Sequence, residues 1–358
     1  MSSESLDASR VRPNIAAMSG YEPGEQPPVG KILKLNTNEN PYPPSPKVVQ
    51  AIQQAATSGR ERYPNPVATP FRLAASALWK VPADWILAGN GSDDLLTILT
   101  RAFVGETYSL RLPYPSYILY RTLAHIQAAQ YEEVSFSNDW QLGDAFAEPS
   151  ENVRLVFLPN PNSPSGTVVP RETIAAWADR LDCPLVVDEA YADFAESSCI
   201  PLVADHPNLV VTRTLSKSYG LAGIRFGYLV AQPAIVEQLA KVKDSYNCDA
   251  ISIAAATAAI SDQAWLAENV AKIREERSRL TKELEQLGFS VQPSHANFVW
   301  CTHPSQHHQT LYQHLKDEGI LVRYMDYPPY GDGLRITVGT PTQTDAVITV
   351  LSQHVQSV

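Results

Sequence analysis

The stretch that decides the fold is Thr214-Leu215-Ser216-Lys217-Ser218-Tyr219-Gly220-Leu221-Ala222-Gly223-Ile224-Arg225. An apolar run ends just before it, so hydroxyl groups, a lysine and an arginine follow what looks like a strand. Hydroxyls and a guanidinium around a turn suit an anion such as phosphate. A lysine held near a second cation can act as an amine nucleophile toward a carbonyl. Taken alone, this lysine segment fits a solvated surface loop equally well.

A carboxylate stands at the end of another apolar run, in Val186-Val187-Asp188-Glu189-Ala190-Tyr191. A buried charge is costly without a partner, and ligands bind at the carboxyl ends of parallel strands. Asp188 precedes Lys217 by one strand and one crossover, so we expect the two side chains to lie near each other. By itself, Asp188 is also a plausible N-cap of a helix.

Two further loops are candidates for ligand contacts. The glycine-rich turn Ala88-Gly89-Asn90-Gly91-Ser92-Asp93-Asp94 precedes a helical pattern at residues 95–103. Free N–H groups and the positive end of a helix form a phosphate cradle, although the spacing is not the G-x-G-x-x-G of dinucleotide sites. The proline-rich loop at 159–167 follows a strand pattern, and constrained loops often carry ligand residues. Each loop alone fits a plain connection.

Short apolar runs alternate with helical stretches over residues 46–248. The runs lie at 85–88, 154–158, 185–187, 209–212 and 226–231, with helical patterns at 93–103 and 171–181. This alternation predicts a mostly parallel sheet covered on both faces. A charged helix at 262–287, short runs at 298–301, 320–323 and 334–338, and a closing helix from 344 predict a small α+β domain. We therefore expect an N-terminal arm and part of the small domain at 1–45, a large domain at 46–248 and a small domain at 249–358.

Composition narrows the classes of partner. The chain has 28 Lys+Arg and 38 Asp+Glu, a formal net charge of −10. This balance argues against nucleic acid or an anionic membrane as the main partner. Scattered cysteines without a C-x-x-C pair are typical of a reducing cytoplasm, and the polar N-terminus has no secretory apolar core. We expect a soluble cytoplasmic protein.

Together these segments resemble the fold-type I pyridoxal-phosphate aminotransferases. The resemblance rests on Gly91-Ser92-Asp93, Pro115-Ser116-Tyr117, residues 160–166, Asp188-Glu189-Ala190-Tyr191, the lysine segment and Leu334-Arg335-Ile336-Thr337-Val338-Gly339-Thr340. Within this family, Leu35-Asn36-Thr37-Asn38-Glu39-Asn40-Pro41 and Arg62-Tyr63-Pro64 make the chain most similar to the branch that acts on histidinol phosphate. The resemblance covers the chain from about Val11 onward. It implies a large domain with a mostly parallel seven-stranded sheet between helices, and a small α+β domain.

The resemblance also implies a role for each matching residue. Lys217 would bond covalently to pyridoxal 5'-phosphate and move a proton between substrate and cofactor carbons. Asp188 would keep the pyridine nitrogen protonated, and Tyr191 would donate to the ring 3-oxygen. The cofactor would be held further by Tyr117 on the ring face and, at the phosphate, by Ser92, Asp93, Thr214, Ser216 and Arg225. The substrate would face Tyr21, Asn38, Arg323 and Arg335, with Tyr63 reaching the site of a second subunit in a homodimer.

One position departs from the family pattern. The family usually has Asn directly before the proline of its N-P-T-G motif, bonded to the cofactor 3-oxygen, and here that position is Ser163 with Asn162 before it. Either Asn162 supplies the amide from a shifted loop, or Tyr191 holds the oxygen with less help. We keep Asn162 as a candidate cofactor-binding residue.

The expected reaction is a transamination in two halves, in which histidinol phosphate and 2-oxoglutarate interconvert with imidazole-acetol phosphate and glutamate. Alternatives on the same scaffold are an aromatic or broad-specificity aminotransferase and a threonine-phosphate decarboxylase-like lyase. The effector domain of a transcription regulator is disfavoured, because residues 1–40 are too short and proline-rich for a DNA-binding module. The histidines at 303, 307 and 308 are expected at the surface, and no metal site is predicted.

Overall fold

A computed structural model describes residues 10–20, 24–26, 32–57, 59 and 61–355 of the chain. Its largest sheet has seven strands in the order β2-β8-β7-β6-β5-β3-β4. These strands are Ile86–Gly89 (β2), Ser109–Tyr114 (β3), Tyr131–Ser135 (β4), Val153–Pro159 (β5), Leu185–Asp188 (β6), Leu209–Thr214 (β7) and Gly227–Val230 (β8). All pairs are parallel except those that β8 makes with β2 and β7. The predicted mostly parallel sheet is confirmed.

Helices cover both faces of this sheet. Within the described residues the α-helices are Pro13–Ala17 (α1), Pro46–Ala55 (α2), Thr69–Trp79 (α3), Ser92–Phe103 (α4), Leu119–Ile126 (α5), Arg171–Arg180 (α6), Pro233–Val242 (α7), Ala250–Ile260 (α8), Gln263–Gln286 (α9), His308–Asp317 (α10) and Pro341–His354 (α11). Strands β6, β7 and β8 are buried along their whole length, as expected for strands packed on two sides. One apolar cluster packs on each face of this sheet, and the larger of the two continues into the second part of the chain.

The second part of the chain forms a four-stranded antiparallel sheet in the order β12-β13-β10-β9. Its strands are Ser290–Val291 (β9), Phe298–Thr302 (β10), Arg323–Tyr327 (β12) and Gly331–Thr337 (β13). A separate parallel pair joins Leu33–Lys34 (β1) to Ile320–Leu321 (β11), which ties the N-terminal segment to the C-terminal part. The division into an N-terminal arm with part of the small domain, a large domain at 46–248 and a small domain at 249–358 stays a prediction.

Local chemistry explains where several helices begin. Ser45 caps α2, because its hydroxyl accepts the Lys47 N–H at 3.1 Å, and Pro46 occupies the first helical position. Asp249 caps α8 by accepting from the N–H groups of Ile251 and Ser252. The apolar run of residues 251–260 is therefore a buried helix, and no described helix is long and apolar enough to cross a membrane.

The structure adds elements that the sequence patterns did not indicate. Strand β3 contains Arg111 and a proline, and β4 is a polar edge strand, so neither shows a continuous apolar pattern. The Arg111 side chain is buried, donating to the Glu132 carboxylate and the Phe146 carbonyl. The N-terminal arm is also more structured than expected, since Asn14 of α1 donates to the His125 carbonyl at the end of α5.

Candidate active site

A cavity of about 400 Å³ lies at the carboxyl ends of β5, β6 and β7, below the β12–β13 hairpin. This edge of a parallel sheet is the expected place for a ligand. Most of the predicted site residues line the cavity together: Asn38, Ser92, Asp93, Tyr117, Asp188, Tyr191, Thr214, Ser216, Lys217, Arg225, Arg323 and Arg335. Residues that are far apart in the chain, from 38 to 335, thus meet in one site.

Asp188 is the buried carboxylate of the cavity, with only 5% of its surface exposed. Tyr120 Oη donates to Oδ2 at 2.8 Å, and Thr212 Oγ1 donates to Oδ1 at 3.1 Å. Burial raises the Asp188 pKa to about 6, while the two hydroxyl hydrogen bonds act against this rise. The carboxylate is therefore buried and oriented by two neutral hydroxyl groups, which suits a cationic group of a ligand.

Lys217 lines the same cavity and contacts the N-terminal segment. Its Nζ donates to the Thr37 carbonyl at 3.0 Å and lies 5.8 Å from the centroid of the Tyr191 ring. Tyr191 Oη accepts from Asn38 Nδ2 at 2.9 Å, so its own O–H proton is available to a ligand. Asn38 is held in turn by Thr337 of β13, whose hydroxyl donates to Oδ1 at 3.1 Å. The amine thus lies beside a phenol that the neighbouring amide orients.

A cationic cradle forms where the lysine segment meets the N-terminus of α4. Arg225 Nη1 donates to Ser216 Oγ at 3.2 Å, and Nη2 lies 3.4 Å from the Asp93 carboxylate. Gly91 has φ +87°, and a Cβ there would lie 2.7 Å from Arg225 Nη2. The glycine is therefore needed for the guanidinium to reach the helix N-terminus, where free N–H groups favour an anion.

Arg335 occupies the side of the cavity below the hairpin. Nη1 donates to Ser163 Oγ at 2.9 Å, and Nη2 donates to the Asn36 carbonyl at 3.0 Å. Its guanidinium carbon lies 5.3 Å from the centroid of the Phe298 ring. Arg323, opposite Arg335 in the β12–β13 register, lines the same cavity. Two guanidinium groups on one side suit an anionic substrate.

Three predicted residues are not brought into this cavity. Asn162 is buried but turned away: its Nδ2 donates to Ser165 Oγ at 2.9 Å and to the Pro115 carbonyl at 3.3 Å. It lines a smaller cavity of about 180 Å³ behind the loop. Tyr63 is 80% exposed and stacks on Tyr246 at 4.5 Å between ring centroids, outside the cavity. Tyr21 lies outside the described residues.

Several residues of the site had no signal in the sequence. Tyr120 is fully buried and looks like any core tyrosine of a helix, yet its hydroxyl contacts Asp188. Tyr114, Arg121 and Tyr327 line the cavity as well, and Arg121 lies 4.7 Å above the Tyr114 ring. Only the fold brings the end of β3 next to the hairpin, so no spacing rule could have found these three.

Two other expectations can be compared with the contacts. Glu189 is a buried structural group, because it pairs with Arg213 at 2.8 Å and accepts from Ser198. The expected surface position of the histidines is wrong for His303 and His308, which are buried, with His308 Nδ1 2.9 Å from Asp332. Among the described residues, no group of three or more His, Cys, Asp or Glu side chains could hold a metal ion.

Comparison with known proteins identifies the family of this chain. The family model of aminotransferase class I and II matches residues 30–351. A histidinol-phosphate aminotransferase of Rhodopirellula baltica is 61% identical over 97% of this chain and 96% of its own, and one of Nostoc sp. is 46% identical over 97% and 98%. The crystal structure of histidinol-phosphate aminotransferase from Sinorhizobium meliloti in complex with pyridoxal-5'-phosphate has a TM-score of 0.86 and 27% identity, covering 97% of this chain and 98% of that one. The chain belongs to the class I and II aminotransferase family.

Proposed function

We propose that this protein is a pyridoxal-phosphate-dependent transaminase that interconverts histidinol phosphate and 2-oxoglutarate with imidazole-acetol phosphate and glutamate, a reaction of histidine biosynthesis. The observation that carries the proposal is the convergence of an amine, a buried carboxylate and a cationic cradle on one cavity. The high identity to the histidinol-phosphate aminotransferases of Rhodopirellula and Nostoc supports the substrate.

The residues fit pyridoxal phosphate at three separate points. The buried Asp188, with its pKa raised to about 6, suits a cationic ring nitrogen. The cradle that Gly91 keeps open beside Arg225 suits the phosphate, together with Ser92, Asp93, Thr214 and Ser216. The Lys217 amine suits the aldehyde. When bound, the cofactor acts as an electron sink for the substrate carbon from which a proton has been removed.

Each residue then has a physical task in the reaction. Lys217 Nζ would accept the proton from the substrate carbon as a general base. It would then donate that proton to the cofactor carbon as a general acid. Asp188, held by Tyr120 and Thr212, would keep a negative charge against the ring nitrogen. Tyr191 would donate its O–H to the ring 3-oxygen, and Tyr117 would cover the ring face. Asn162 is left out of this set, because its amide bonds inside its own loop.

The same cavity has to accept a phosphate monoester in one half-reaction and a dicarboxylate in the other. Arg323 and Arg335 serve both, because a guanidinium fork binds either anion through two parallel hydrogen bonds. Asn38 is proposed to face the substrate, and its amide also orients Tyr191 by donating to the Tyr191 hydroxyl oxygen. Tyr21, which lies outside the described residues, is proposed from the family resemblance to face the substrate.

The working unit is proposed to be a homodimer in the cytoplasm, without nucleic acid or a membrane as partner. Large apolar side chains are exposed at Tyr63, Leu73, Ile118 and Tyr246, which a second subunit would cover. Tyr63 would reach the partner's cavity. The net charge of −10 opposes binding to polyanions. The large domain is proposed to span 46–248 and the small domain 249–358 with the N-terminal arm.

A spectroscopic half-reaction on the purified holoenzyme tests this function. We expect histidinol phosphate and glutamate each to convert the absorbance of the bound cofactor from its aldehyde to its amine form. Phenylalanine is the competing donor, since the tyrosines at 114, 117, 191 and 327 around the cavity would also accommodate an aromatic amino acid. Rapid conversion by phenylalanine with none by histidinol phosphate would make the protein an aromatic aminotransferase instead. Release of carbon dioxide from threonine phosphate would make it a lyase.

A further inference from the structure

A buried set of ion pairs and hydrogen bonds, the Arg213 network, joins Arg213, Glu189, Asp193 and Ser218. Arg213 Nη1 donates to Glu189 Oε2 at 2.8 Å, and Nη2 pairs with the Asp193 carboxylate. The other oxygen of that carboxylate accepts from Ser218 Oγ. Arg213, Glu189 and Ser218 are 2–3% exposed, and ions buried this deeply are costly unless they are paired. The proposed reaction uses none of these four side chains.

The Arg213 network lies on the face of the large sheet opposite to Asp188. Successive side chains of a strand point to opposite faces, so Thr212 of β7 turns toward Asp188 while the neighbouring Arg213 turns away. The Arg213 guanidinium carbon lies 5.2 Å from the centroid of the Trp79 ring, and Trp79 Nε1 donates to Tyr228 Oη at 2.8 Å. The four side chains of the network do not line the cavity, so they can act on the reaction only through other residues.

Three members of the Arg213 network are chain neighbours of cavity residues. They are Glu189 beside Asp188, Arg213 beside Thr214, and Ser218 beside Lys217.

The contact of Ser218 is the one that bears on the reactive amine. Lys217 lies beyond the end of β7, and its carbonyl accepts a long hydrogen bond, 3.3 Å, from the Gly220 N–H. Ser218 is held more firmly, because its hydroxyl donates to Asp193 and its carbonyl accepts from Asn40 Nδ2 at 2.8 Å. The backbone next to the lysine is therefore fixed from the network side.

We propose that Asp193 and Arg213 are positioning residues for Lys217 and act through the Ser218 hydroxyl. Arg213 fixes the Asp193 carboxylate, the carboxylate holds Ser218, and Ser218 fixes the backbone from which the lysine side chain extends. Proton transfer between two carbons tolerates little misplacement of the amine, so a fixed origin for this side chain favours kcat. The inference rests on the proposed function, because it assigns how the amine of that reaction is aimed.

Ser218→Ala removes the last contact of this series and leaves the pairing of Arg213 with Asp193 in place. We expect kcat with glutamate to fall about tenfold while KM stays within about twofold, because the amine is misplaced only for the chemical step. The pH midpoint of the bound cofactor's absorbance should also shift, since that absorbance depends on how the Lys217 nitrogen lies against the ring. Steady-state kinetics and a pH titration of the holoenzyme measure the two effects.

Ser198→Ala is the matched control on the same network. The Ser198 hydroxyl donates to Glu189 Oε2 at 2.6 Å, and neither Ser198 nor its chain neighbours line the cavity. Both variants lose one hydroxyl–carboxylate hydrogen bond, so the melting temperature of the apoprotein should fall by similar amounts. Only Ser218→Ala should lower kcat and shift the pH midpoint, and Ser218→Thr, which keeps the hydroxyl, should restore both. Should Ser218→Ala fail to fold, Ser218→Cys keeps the side-chain size with a much weaker donor and is measured instead.

Two results would overturn the proposal alone. One is an unchanged kcat and pH midpoint in Ser218→Ala. The other is an equal fall of kcat in Ser198→Ala, which would make the network a support of the whole sheet. Glutamate is the amino donor throughout, so a wrong assignment of histidinol phosphate leaves the test intact. An unmutated holoenzyme in which Lys217 does not bond to the cofactor would overturn the proposed function, and this inference with it.

Discussion

Two walls of the cavity are built in different ways. The sheet wall, defined as Asp188, Thr214, Ser216, Lys217 and Arg225, comes from the ends of β6 and β7 and the segment that follows β7. The hairpin wall, defined as Arg323, Tyr327 and Arg335, comes from β12 and β13 of the second sheet. The first lies on strands that are buried along their whole length, whereas the second contacts the loop after β5 through side chains, as when Arg335 donates to Ser163.

The contacts of each wall reflect this difference. Asp188 is fixed by the hydroxyl of Thr212 on the neighbouring strand and by that of Tyr120, a buried residue of α5. The hairpin tip is held by Tyr114 Oη, which donates to the Pro328 carbonyl at 2.8 Å, and by Tyr330, which donates to the Phe136 carbonyl. A rigid wall suits chemistry that tolerates little misplacement, and a wall held by a few side-chain contacts suits two substrates of different shape. Changes in the sheet wall should therefore lower kcat, and changes in the hairpin wall should raise KM.

The largest effect is expected for Lys217→Ala. Loss of both the covalent attachment and the proton carrier should lower kcat by about 10⁴-fold or more. Borohydride reduction followed by mass spectrometry should find no cofactor attached to the variant. Lys272→Ala, which removes an exposed lysine paired with Glu268 on α9, is the matched control and should react normally. A reducible adduct in Lys217→Ala would mean that another residue bonds to the cofactor, and the assignment of the sheet wall to the chemical step would be wrong.

The second-largest effect is expected for Asp188→Asn. Its kcat should be lowered by about 10²- to 10³-fold, because a neutral amide cannot stabilise the charged ring nitrogen.

The stability of the Asp188→Asn apoprotein should also depend on pH in a different way from that of the unmutated apoprotein. The Asp188 pKa is raised to about 6, so the ionised carboxylate costs stability above that pH, and the cost is lost as the pH falls through 6. The difference in melting temperature, that of the variant minus that of the unmutated apoprotein, should therefore be more positive at pH 8 than at pH 5. Equal differences at both pH values would mean that Asp188 has an ordinary pKa.

The same division explains what could be predicted from the sequence. The sheet wall lies in continuous segments at strand ends, so hydroxyls, Lys217 and Asp188 could be recognised from local pattern. Tyr120 could not, because a buried tyrosine that bonds a carboxylate has the same sequence context as one that packs. Strands β3 and β4 were missed because Arg111 and polar edge residues break the apolar pattern. The aromatic contacts of the hairpin tip depend on two sheets meeting, which no local pattern encodes.

Arg335→Lys tests the hairpin wall directly. The charge is retained, but the fork that bonds Ser163 and Asn36 while binding an anion is lost. We expect KM for glutamate to rise about tenfold to a hundredfold, the equivalent of one charge-assisted hydrogen bond, with a smaller change in kcat. Steady-state kinetics with glutamate and with histidinol phosphate measure both constants. A fall in kcat alone would place Arg335 with the sheet wall.

The smallest effect is expected for Tyr330→Phe, which asks whether the hairpin tip controls the wall that it carries. The ring keeps its stacking on Trp140, with centroids 5.8 Å apart, and loses only the hydroxyl that donates to Phe136. Because one neutral hydrogen bond contributes about 1 kcal/mol, the hairpin should detach more often and KM should rise about two- to fourfold.

Tyr108→Phe removes a hydroxyl from a half-exposed tyrosine beside Arg154, far from the hairpin, and serves as control. The cofactor absorbance should be the same in both variants, since the sheet wall is untouched. A change in kcat or in that absorbance would show that the two walls are mechanically coupled, and the division between them would then fail.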